Sequence, residues 1–356
     1  MSEGRKRPFL NWSPWRGVNS MGTGMVCTDS SIDARAAAGA PEFVRDVTAD
    51  VPEGWRGELG TVLPEGVLTG RVAGNTAGGV ICILGGISAT RFVAQERDNK
   101  GWWPRVVGYG LPVDLDQVAV FGFDWPPVDP KEAVILTPAD QARLLALVLD
   151  AAGIETLSGL VGCSYGGMVA LEFARQFPQR VEKIAVVAAS HRPSVMGAAW
   201  RGVQRRILEF AIASGQPEEG VSLARQLAMT TYRAPEEFMV RFNPVGEHHE
   251  RFGAASEVCQ YLMSRGESYR GKMSAERFLS LSASVDLHDT PPEAVTTPTY
   301  LVATSTDWLN PKEDVKELAK RLGGPSAYRE IESPCGHDAF LVEQERISEL
   351  LAEFQA

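Results

Sequence analysis

Residues 162–166 read Gly-Cys-Ser-Tyr-Gly, a G-x-S-x-G pattern that could present a serine nucleophile. Upstream, Leu157 to Val161 is short, apolar and bounded, which is typical of a buried strand. Downstream, apolar residues recur at helical spacing until Pro178 ends the run. A sharp strand-to-helix turn of this kind lifts a serine hydroxyl above a sheet, and flanking glycines permit the close backbone approach. The context favours Ser164 as a nucleophile, although the pattern alone is common enough to arise by chance.

A serine nucleophile needs a general base, and the base needs a carboxylate that orients it. Among five histidines, His337 lies between the last predicted strand and the last predicted helix. Asp307 follows the apolar strand predicted at Tyr300 to Ala303, where an open α/β sheet assembles its site. The order Ser164, Asp307, His337 matches one known order of catalytic triads. The structural alternatives are a helix cap before Pro311 for Asp307 and a backbone-bonded loop histidine for His337.

An acyl-transfer intermediate also needs two backbone N–H donors for its oxyanion, each supplying on the order of 3 kcal/mol. Tyr165 is the first candidate, because it follows the nucleophile at a helix N-terminus whose dipole favours negative charge. Ile87 is the second candidate, in the loop after the strand predicted at Ile81 to Leu84. The alternative is that Gly85-Gly86 forms only a tight turn.

The elements that must position these residues alternate between strand and helix. Buried strands are predicted at 79–84, 117–123, 157–161, 181–189 and 298–303, which indicates a mostly parallel sheet covered by helices on both faces. Residues 190–289 interrupt the alternation and predict a helical lid without strands, inserted into an α/β core formed by 56–189 and 290–356. Residues 1–55 are predicted to be an irregular N-terminal extension, and alternation over 59–72 predicts a hairpin.

Composition restricts the class of protein. Hydrophobic residues make up 44% of the 356 residues, and a formal net charge of −10 argues against nucleic acid or anionic lipid as a general partner. The five cysteines are scattered without C-x-x-C spacing, which argues against a disulfide framework or a zinc site. No window approaches the ~18 apolar residues of a membrane-spanning helix. We therefore expect a cytoplasmic protein with no metal site and no membrane partner.

Four stretches resemble the homoserine O-acyltransferases of the α/β-hydrolase superfamily. They are residues 164–172, 200–206, 224–233 and 336–341, and the resemblance extends from Val80 to the C-terminus. The last stretch reads Gly-His-Asp-Ala-Phe-Leu and is the most specific, because general hydrolases rarely carry an acid directly after the base. The resemblance implies the α/β-hydrolase fold and admits a homodimer.

The resemblance also implies a two-step reaction in methionine biosynthesis. An acyl-CoA would acylate Ser164, and the hydroxyl of homoserine would then take the acyl group, with no tightly bound cofactor. By the same resemblance, Asp338 would hold the amine of homoserine and Arg225 its carboxylate. A zwitterion in a dry pocket needs one fixed charge of each sign, so both assignments are electrostatically reasonable. The alternatives are a helix cap for Asp338 and a surface ion pair for Arg225.

Several residues depart from the commoner pattern of that family and indicate a divergent branch. Tyr165 stands where methionine is usual, residues 85–89 replace the usual His-Ala-Leu-Thr-Gly, and the segment between Phe123 and Thr137 is shorter, with Trp125-Pro126-Pro127 in it. Acetyl-CoA is slightly favoured over succinyl-CoA as the donor. A succinyl donor would need a cation near its distal carboxylate, for which the available arginines are Arg91, Arg201, Arg205 and Arg206.

Three rival functions remain open at this point. The first is a serine esterase or hydrolase of the same fold, in which water takes the acyl group. The second is a serine O-acyltransferase, whose acceptor is one methylene shorter than homoserine. The third is a catalytically silent protein of this fold that serves as a ligand receptor.

Overall fold

The computed structural model describes residues 43–250 and 252–355, and within them the chain forms twelve strands. In chain order, β1 to β12 are Val44–Asp50, Val67–Gly74, Val80–Leu84, Val107–Gly108, Val113–Asp114, Ala119–Phe123, Gly159–Cys163, Ile184–Val187, Glu247–His249, Gly253–Ala255, Thr299–Thr304 and Ser326–Ile331.

Eight of these strands form one sheet in the order β1-β2-β6-β3-β7-β8-β11-β12. The strands from β6 to β12 in this order run parallel, whereas β1 and β2 are antiparallel to their neighbours. The sequence of β3 is continuously apolar, because a parallel strand is buried on both faces. Cys82 and Leu84 join the core on one face, and Ile81 and Ile83 join the core on the other. The predicted mostly parallel sheet is confirmed.

The described residues also form ten α-helices, some of which cover the sheet while others lie in an insertion between two of its strands. In chain order, α1 to α10 are Pro138–Ala152, Tyr165–Gln176, Val195–Ala213, Pro217–Tyr232, Pro235–Arg241, Glu257–Glu267, Ala275–Asp286, Lys312–Arg321, Ala339–Val342 and Gln344–Gln355. None of the helices in this part of the chain is both long and apolar enough to cross a membrane.

Local sequence determines where α1 begins and ends. Thr137 caps the helix through a reciprocal capping box with Asp140, and Pro138 occupies the first turn. Gly153 ends the helix in the left-handed conformation, with φ of 74°. The helix packs against α2 on one face of the sheet, while Phe354 of α10 belongs to the core on the other face. Helices therefore cover both faces, as predicted.

Five helices, α3 to α7, lie between β8 and β11, and we call this region (residues 195–286) the helical insertion. Ion pairs join its first and last helices, because Arg201 and Arg205 of α3 both contact Asp286 of α7. The insertion also contains a short antiparallel hairpin, β9 and β10, which differs from the expected absence of strands. Each of its two strands has only three residues, which is too few to produce a detectable period in the sequence.

Part of the N-terminal extension predicted to be irregular, residues 1–55, forms a strand. Val44–Asp50 forms β1 and pairs in antiparallel register with Val67–Gly74. Only Val47 in this edge strand is buried, so its sequence lacks the alternation by which a half-buried strand is recognised. The hairpin expected within 59–72 is also wrong, since β2 pairs with β1 and β6 instead. Residues 1–42 of the predicted extension lie outside the described residues.

Candidate active site

Ser164 lies at the turn between β7 and α2, with φ of 55° and ψ of −120°. A non-glycine residue at positive φ is strained, and such strain is concentrated at functional sites. A Cβ added at Gly162 would lie 2.2 Å from the carbonyl oxygen of Gly166, and one added at Gly166 would lie 2.2 Å from that of Leu84. The two glycines of the motif are therefore required by close backbone contacts.

The structure brings Ser164, His337 and Asp307 into one hydrogen-bonded chain. His337 Nε2 lies 2.8 Å from Ser164 Oγ, and His337 Nδ1 lies 2.8 Å from Asp307 Oδ2. A carboxylate only accepts, so Nδ1–H donates to Asp307 and Nε2 accepts from the serine hydroxyl. The Ser-His-Asp geometry needed to move a proton off Ser164 is thus present in full.

The other oxygen of Asp307 is held by the backbone. Its Oδ1 accepts from the amides of Leu309 at 2.8 Å and Asn310 at 3.0 Å. The side chain therefore caps a turn, but it is not the helix cap of the structural alternative, because Pro311 is the N-cap of α8. These amide contacts fix the carboxylate in the orientation that reaches His337.

Burial and charge act in opposite directions on His337. Burial lowers the pKa of the imidazole, but the charge of Asp307 and its hydrogen bond raise it, and the pKa lies above its ordinary value of 6.5. Cys163, next to the nucleophile, is fully buried, and burial raises the pKa of its thiol. A thiol kept protonated in the core is a poor nucleophile, so Cys163 is part of the packing.

Tyr165 and Ile87, the two candidate oxyanion donors, flank Ser164. Tyr165 is the first residue of α2, so its amide has no partner within the helix. Ile87 follows Gly86, and a Cβ added at Gly86 would lie 3.9 Å from Ser164 Oγ. The amide of Gly166 donates to the carbonyl of Gly85 at 3.0 Å and ties the two loops together. The Gly85-Gly86 loop is thus more than a tight turn, since it lies against the serine.

A cavity of about 240 Å³ opens beside Ser164. Apolar and aromatic side chains form most of its wall, including Trp102, Met168, Trp200, Leu309 and Phe340. Ile87, Tyr165, Arg225, His337 and Asp338 line it as well, so all but one of the predicted site residues face one space. Within the residues that the structure describes, no group of three or more His, Cys, Asp and Glu side chains could hold a metal ion.

Arg225 projects from α4 to the cavity and is half-buried between two aromatic rings. Its guanidinium carbon lies 5.2 Å from the ring centre of Tyr232 and 4.7 Å from that of Tyr269. Stacking of this kind holds a guanidinium in place and leaves its N–H groups to bind an anion. Arg225 is not part of a surface ion pair in the described structure, contrary to the alternative.

Asp338 lines the cavity next to His337 and has a partner that the sequence analysis did not identify. Its Oδ2 lies 3.0 Å from Nε of Arg233, whose side chain is buried. Asp338 precedes α9 but makes no capping hydrogen bond to it, so the helix-cap alternative fails. Arg233 was visible in the family-like stretch at 224–233, but its partner 105 residues away was not.

Of the four arginines considered for a second carboxylate, only Arg201 lines the cavity in the described structure. Arg201 and Arg205 each contact Asp286 at 2.7 Å, so two cations share one carboxylate. Arg91 pairs with Asp124 and Asp46, outside the cavity. The Arg206 side chain lines a separate groove between α3 and α4.

This chain is similar in sequence to several known proteins. Residues 79–344 match the family described as alpha/beta hydrolase fold. The chain is 38% identical over 322 residues to a homoserine O-succinyltransferase from Xanthomonas campestris pv. campestris, covering 88% of this chain and 87% of that protein. It is 34% identical over 300 residues to a homoserine O-acetyltransferase from Thermus thermophilus, covering 73% of each.

Solved structures share the fold at lower identity. A homoserine O-acetyltransferase from Bacillus anthracis superposes with a TM-score of 0.77 at 20% identity, over 88% of this chain and 98% of that one. The esterase E22 superposes with a TM-score of 0.78 at 17% identity, over 88% of this chain and 100% of that one. The fold alone therefore does not separate transferase from esterase. The sequence identities show that the chain belongs to the homoserine O-acyltransferase family of the α/β-hydrolase superfamily.

Proposed function

We propose that this protein is an acyl-CoA-dependent L-homoserine O-acyltransferase that works through an acyl-Ser164 intermediate. The observation that carries the proposal is a hydrogen-bonded Ser164–His337–Asp307 chain beside a cavity that contains both Arg225 and Asp338. The first group of residues supplies acyl-transfer chemistry, and the second suits a zwitterionic amino acid.

In the first step, Ser164 Oγ attacks the thioester carbonyl and His337 Nε2 takes the hydroxyl proton. The tetrahedral oxyanion accepts hydrogen bonds from the amide N–H groups of Tyr165 and Ile87. Asp307 stabilises the imidazolium that forms on His337. The carbon–sulfur bond then breaks, and His337 returns the proton to the departing CoA thiolate. The product is an ester on Ser164 and free CoA.

In the second step, the side-chain hydroxyl of homoserine attacks the ester on Ser164. His337 removes the proton of that hydroxyl and delivers it to Ser164 Oγ as the bond to the serine breaks. The acyl group leaves on homoserine, and the enzyme returns to its starting protonation state. CoA leaves before the acyl group is transferred, which is a ping-pong order.

Arg225 would bind the carboxylate of homoserine, and Asp338 would bind its ammonium group. The stacked guanidinium of Arg225 offers a fixed fork of donors to a carboxylate. Contact with Arg233 uses Oδ2 of Asp338, which leaves Oδ1 as an acceptor for an ammonium group. The same contact with Arg233 would hold the Asp338 side chain in place beside the cavity.

Acetyl-CoA remains the donor favoured by the sequence, but one observation favours succinyl-CoA. Arg201 lines the cavity and, with Arg205 and Asp286, forms a cluster of two cations and one anion. A distal carboxylate on the acyl group would complete the charge balance of this cluster, whereas an acetyl group would leave it unchanged. The Xanthomonas relative is named for succinyl transfer and the Thermus relative for acetyl transfer.

Release of the CoA thiol from acetyl-CoA and from succinyl-CoA, with homoserine, with serine and with neither, tests the proposal. We expect continued thiol release, beyond one equivalent per enzyme, to depend on homoserine and the product to be the O-acyl amino acid. Continued thiol release that is independent of the amino acid would identify a hydrolase instead, and a preference for serine would identify a serine O-acyltransferase. No turnover together with ligand binding that survives Ser164→Ala would point to a receptor.

Three further predictions accompany this function. The helical insertion would act as a lid that excludes water from the acyl-enzyme, since its helices contribute Trp200, Arg201 and Arg225 to the cavity.

The protein would be cytoplasmic. A homodimer would place exposed apolar residues such as Phe210 of α3 in an interface, and sedimentation of the purified protein measures this directly.

A further inference from the structure

Trp125 contacts both loops that carry the proposed oxyanion donors, yet it does not line the cavity. Its side chain is fully buried, and it follows β6 in the segment that departs from the commoner family pattern. The indole Nε1–H donates to the carbonyl oxygen of Gly86 at 3.0 Å. Its ring packs edge-on against Tyr165, with centroids 4.9 Å apart and planes 70° apart.

The hydrogen bond to the Gly86 carbonyl orients the first proposed oxyanion donor, the N–H of Ile87. The Gly86 carbonyl and the Ile87 N–H belong to one peptide unit, which is planar and trans, so the N–H points away from the direction of the C=O. Fixing the carbonyl toward Trp125 therefore fixes the direction of the Ile87 N–H. A carbonyl that accepts a hydrogen bond also makes the N–H of its own peptide a stronger donor. The amide of Ala89 adds a second bond to the same oxygen at 2.9 Å.

The ring contact acts on the second donor. Tyr165 is fully buried between Trp125 and the helical insertion, where its hydroxyl bonds the Ser284 hydroxyl of α7 at 2.6 Å. Phe123 supports the other side of the indole, at 5.8 Å between centroids. Since the side chain of Tyr165 is held at both ends, the backbone amide at the start of α2 is held too.

We propose that Trp125 is a positioning residue that orients the Ile87 and Tyr165 amides toward the oxyanion. The inference rests on the proposed function in one respect, the use of those two amides in acyl transfer. Trp125 does not line the cavity, so it would act through the Gly86-Ile87 peptide and not through direct contact with a substrate. It therefore affects the transition state, where charge develops on the oxygen, and has little effect on substrate binding.

Two replacements isolate the indole N–H. Trp125→Phe removes the donor and keeps an aromatic ring beside Tyr165, and 3-benzothienylalanine at position 125 replaces only N–H by sulfur. The matched control is Trp103→Phe, because Trp103 Nε1 donates to the Phe340 carbonyl at 2.9 Å in a buried bond that does not involve the Gly86-Ile87 peptide. The control measures the cost of losing such a bond away from the Gly86-Ile87 loop.

The readouts are the rate of Ser164 acylation by para-nitrophenyl acetate and the affinity for a small alkyl boronic acid, which forms an anionic tetrahedral adduct on serine. Both Trp125 replacements should slow acylation about tenfold, part of the roughly 10²–10³-fold lost when an oxyanion donor is removed outright. Affinity for the boronic acid should fall by the same factor, while KM stays within about twofold of the wild type.

Equal effects of Trp103→Phe and Trp125→Phe, or a rise in KM with kcat unchanged, would overturn the inference. If Trp125→Phe fails to fold, the benzothienyl isostere, which conserves shape, still decides the matter. Acylation by the activated ester requires neither acyl-CoA nor homoserine. Failure of the proposed function would therefore appear as absent homoserine acylation in the wild type, independently of the Trp125 result.

Discussion

At the scale of single residues, the protonation of His337 controls the proposed reaction. Burial alone would lower the pKa of this imidazole, but the charge and hydrogen bond of Asp307, together with the charge of Asp338, raise it above its ordinary value. The base must be neutral to accept the Ser164 proton, so activity should rise with pH through the pKa of His337. The midpoint of that rise should lie above the ordinary pKa of 6.5.

Replacing Asp307 by asparagine should change both the rate and the pH profile. The substitution removes the charge of Asp307, which raises the pKa of His337. Burial, which lowers the pKa, remains, as does the smaller effect of Asp338, which raises it, so the acidic midpoint should move to lower pH. The maximum rate of acylation should fall on the order of 10³-fold or more, because the amide favours the wrong imidazole tautomer. The measurement is kcat/KM for acylation against pH.

A control substitution of the same kind distinguishes this effect on the pH profile from a general loss of structure. Glu353 pairs with Arg329 at the surface, so Glu353→Gln changes a carboxylate to an amide far from the site. That control should leave the acidic midpoint in place. An unchanged or higher midpoint in Asp307→Asn would mean that Asp307 does not govern the titration of His337.

At the scale of elements, the loop after β3 is attached to the helical insertion by one hydroxyl pair. Ser88 Oγ lies 2.6 Å from the hydroxyl of Tyr269, whose ring also stacks on Arg225. The contact joins the loop of the proposed oxyanion donor to the segment between α6 and α7. Such long-range side-chain contacts explain how an insertion that contributes no strand to the main sheet becomes part of the site.

Removing either hydroxyl should cost about 1 kcal/mol of the free energy of unfolding, the usual net value of such a bond. Tyr269→Phe keeps the ring under Arg225, and Ser88→Ala keeps the loop backbone. Since both variants break the same bond, the double variant should be little less stable than either single variant. Denaturant unfolding of all four proteins measures this. Additive losses would show that the two hydroxyls do not interact.

The sequence predicted the elements with strong local patterns and missed those defined by tertiary contacts. Gly79 to Leu84 is continuously apolar, and the strand is found at Val80–Leu84; Thr137-Pro138 marks the start of α1. Strand β1 escaped prediction because only Val47 in it is buried. Because β1 lies at the edge of the sheet, its sequence has few buried apolar residues, even though the strand pairs along its whole length with β2.

The same distinction applies to the candidate site. Ser164 and His337 could be identified because each lies in a motif whose spacing has a physical reason, and Asp307 because it directly follows a buried strand. Arg233 and Trp125 could not be assigned a role in this way. Their partners, Asp338 and the Gly86 carbonyl, are distant in the sequence, and the pairings exist only in the folded chain.

At the scale of the whole molecule, the proposed mechanism requires one covalent state of the chain, the acyl ester on Ser164. The intact protein should gain the mass of one acyl group after brief exposure to acetyl-CoA or succinyl-CoA, and the added mass identifies the donor. We predict that this mass maps to Ser164, is absent in Ser164→Ala, and disappears when homoserine is added, with O-acylhomoserine formed in equal amount. An acyl group that never forms on Ser164 with either donor, while homoserine is still acylated, would contradict the proposed mechanism.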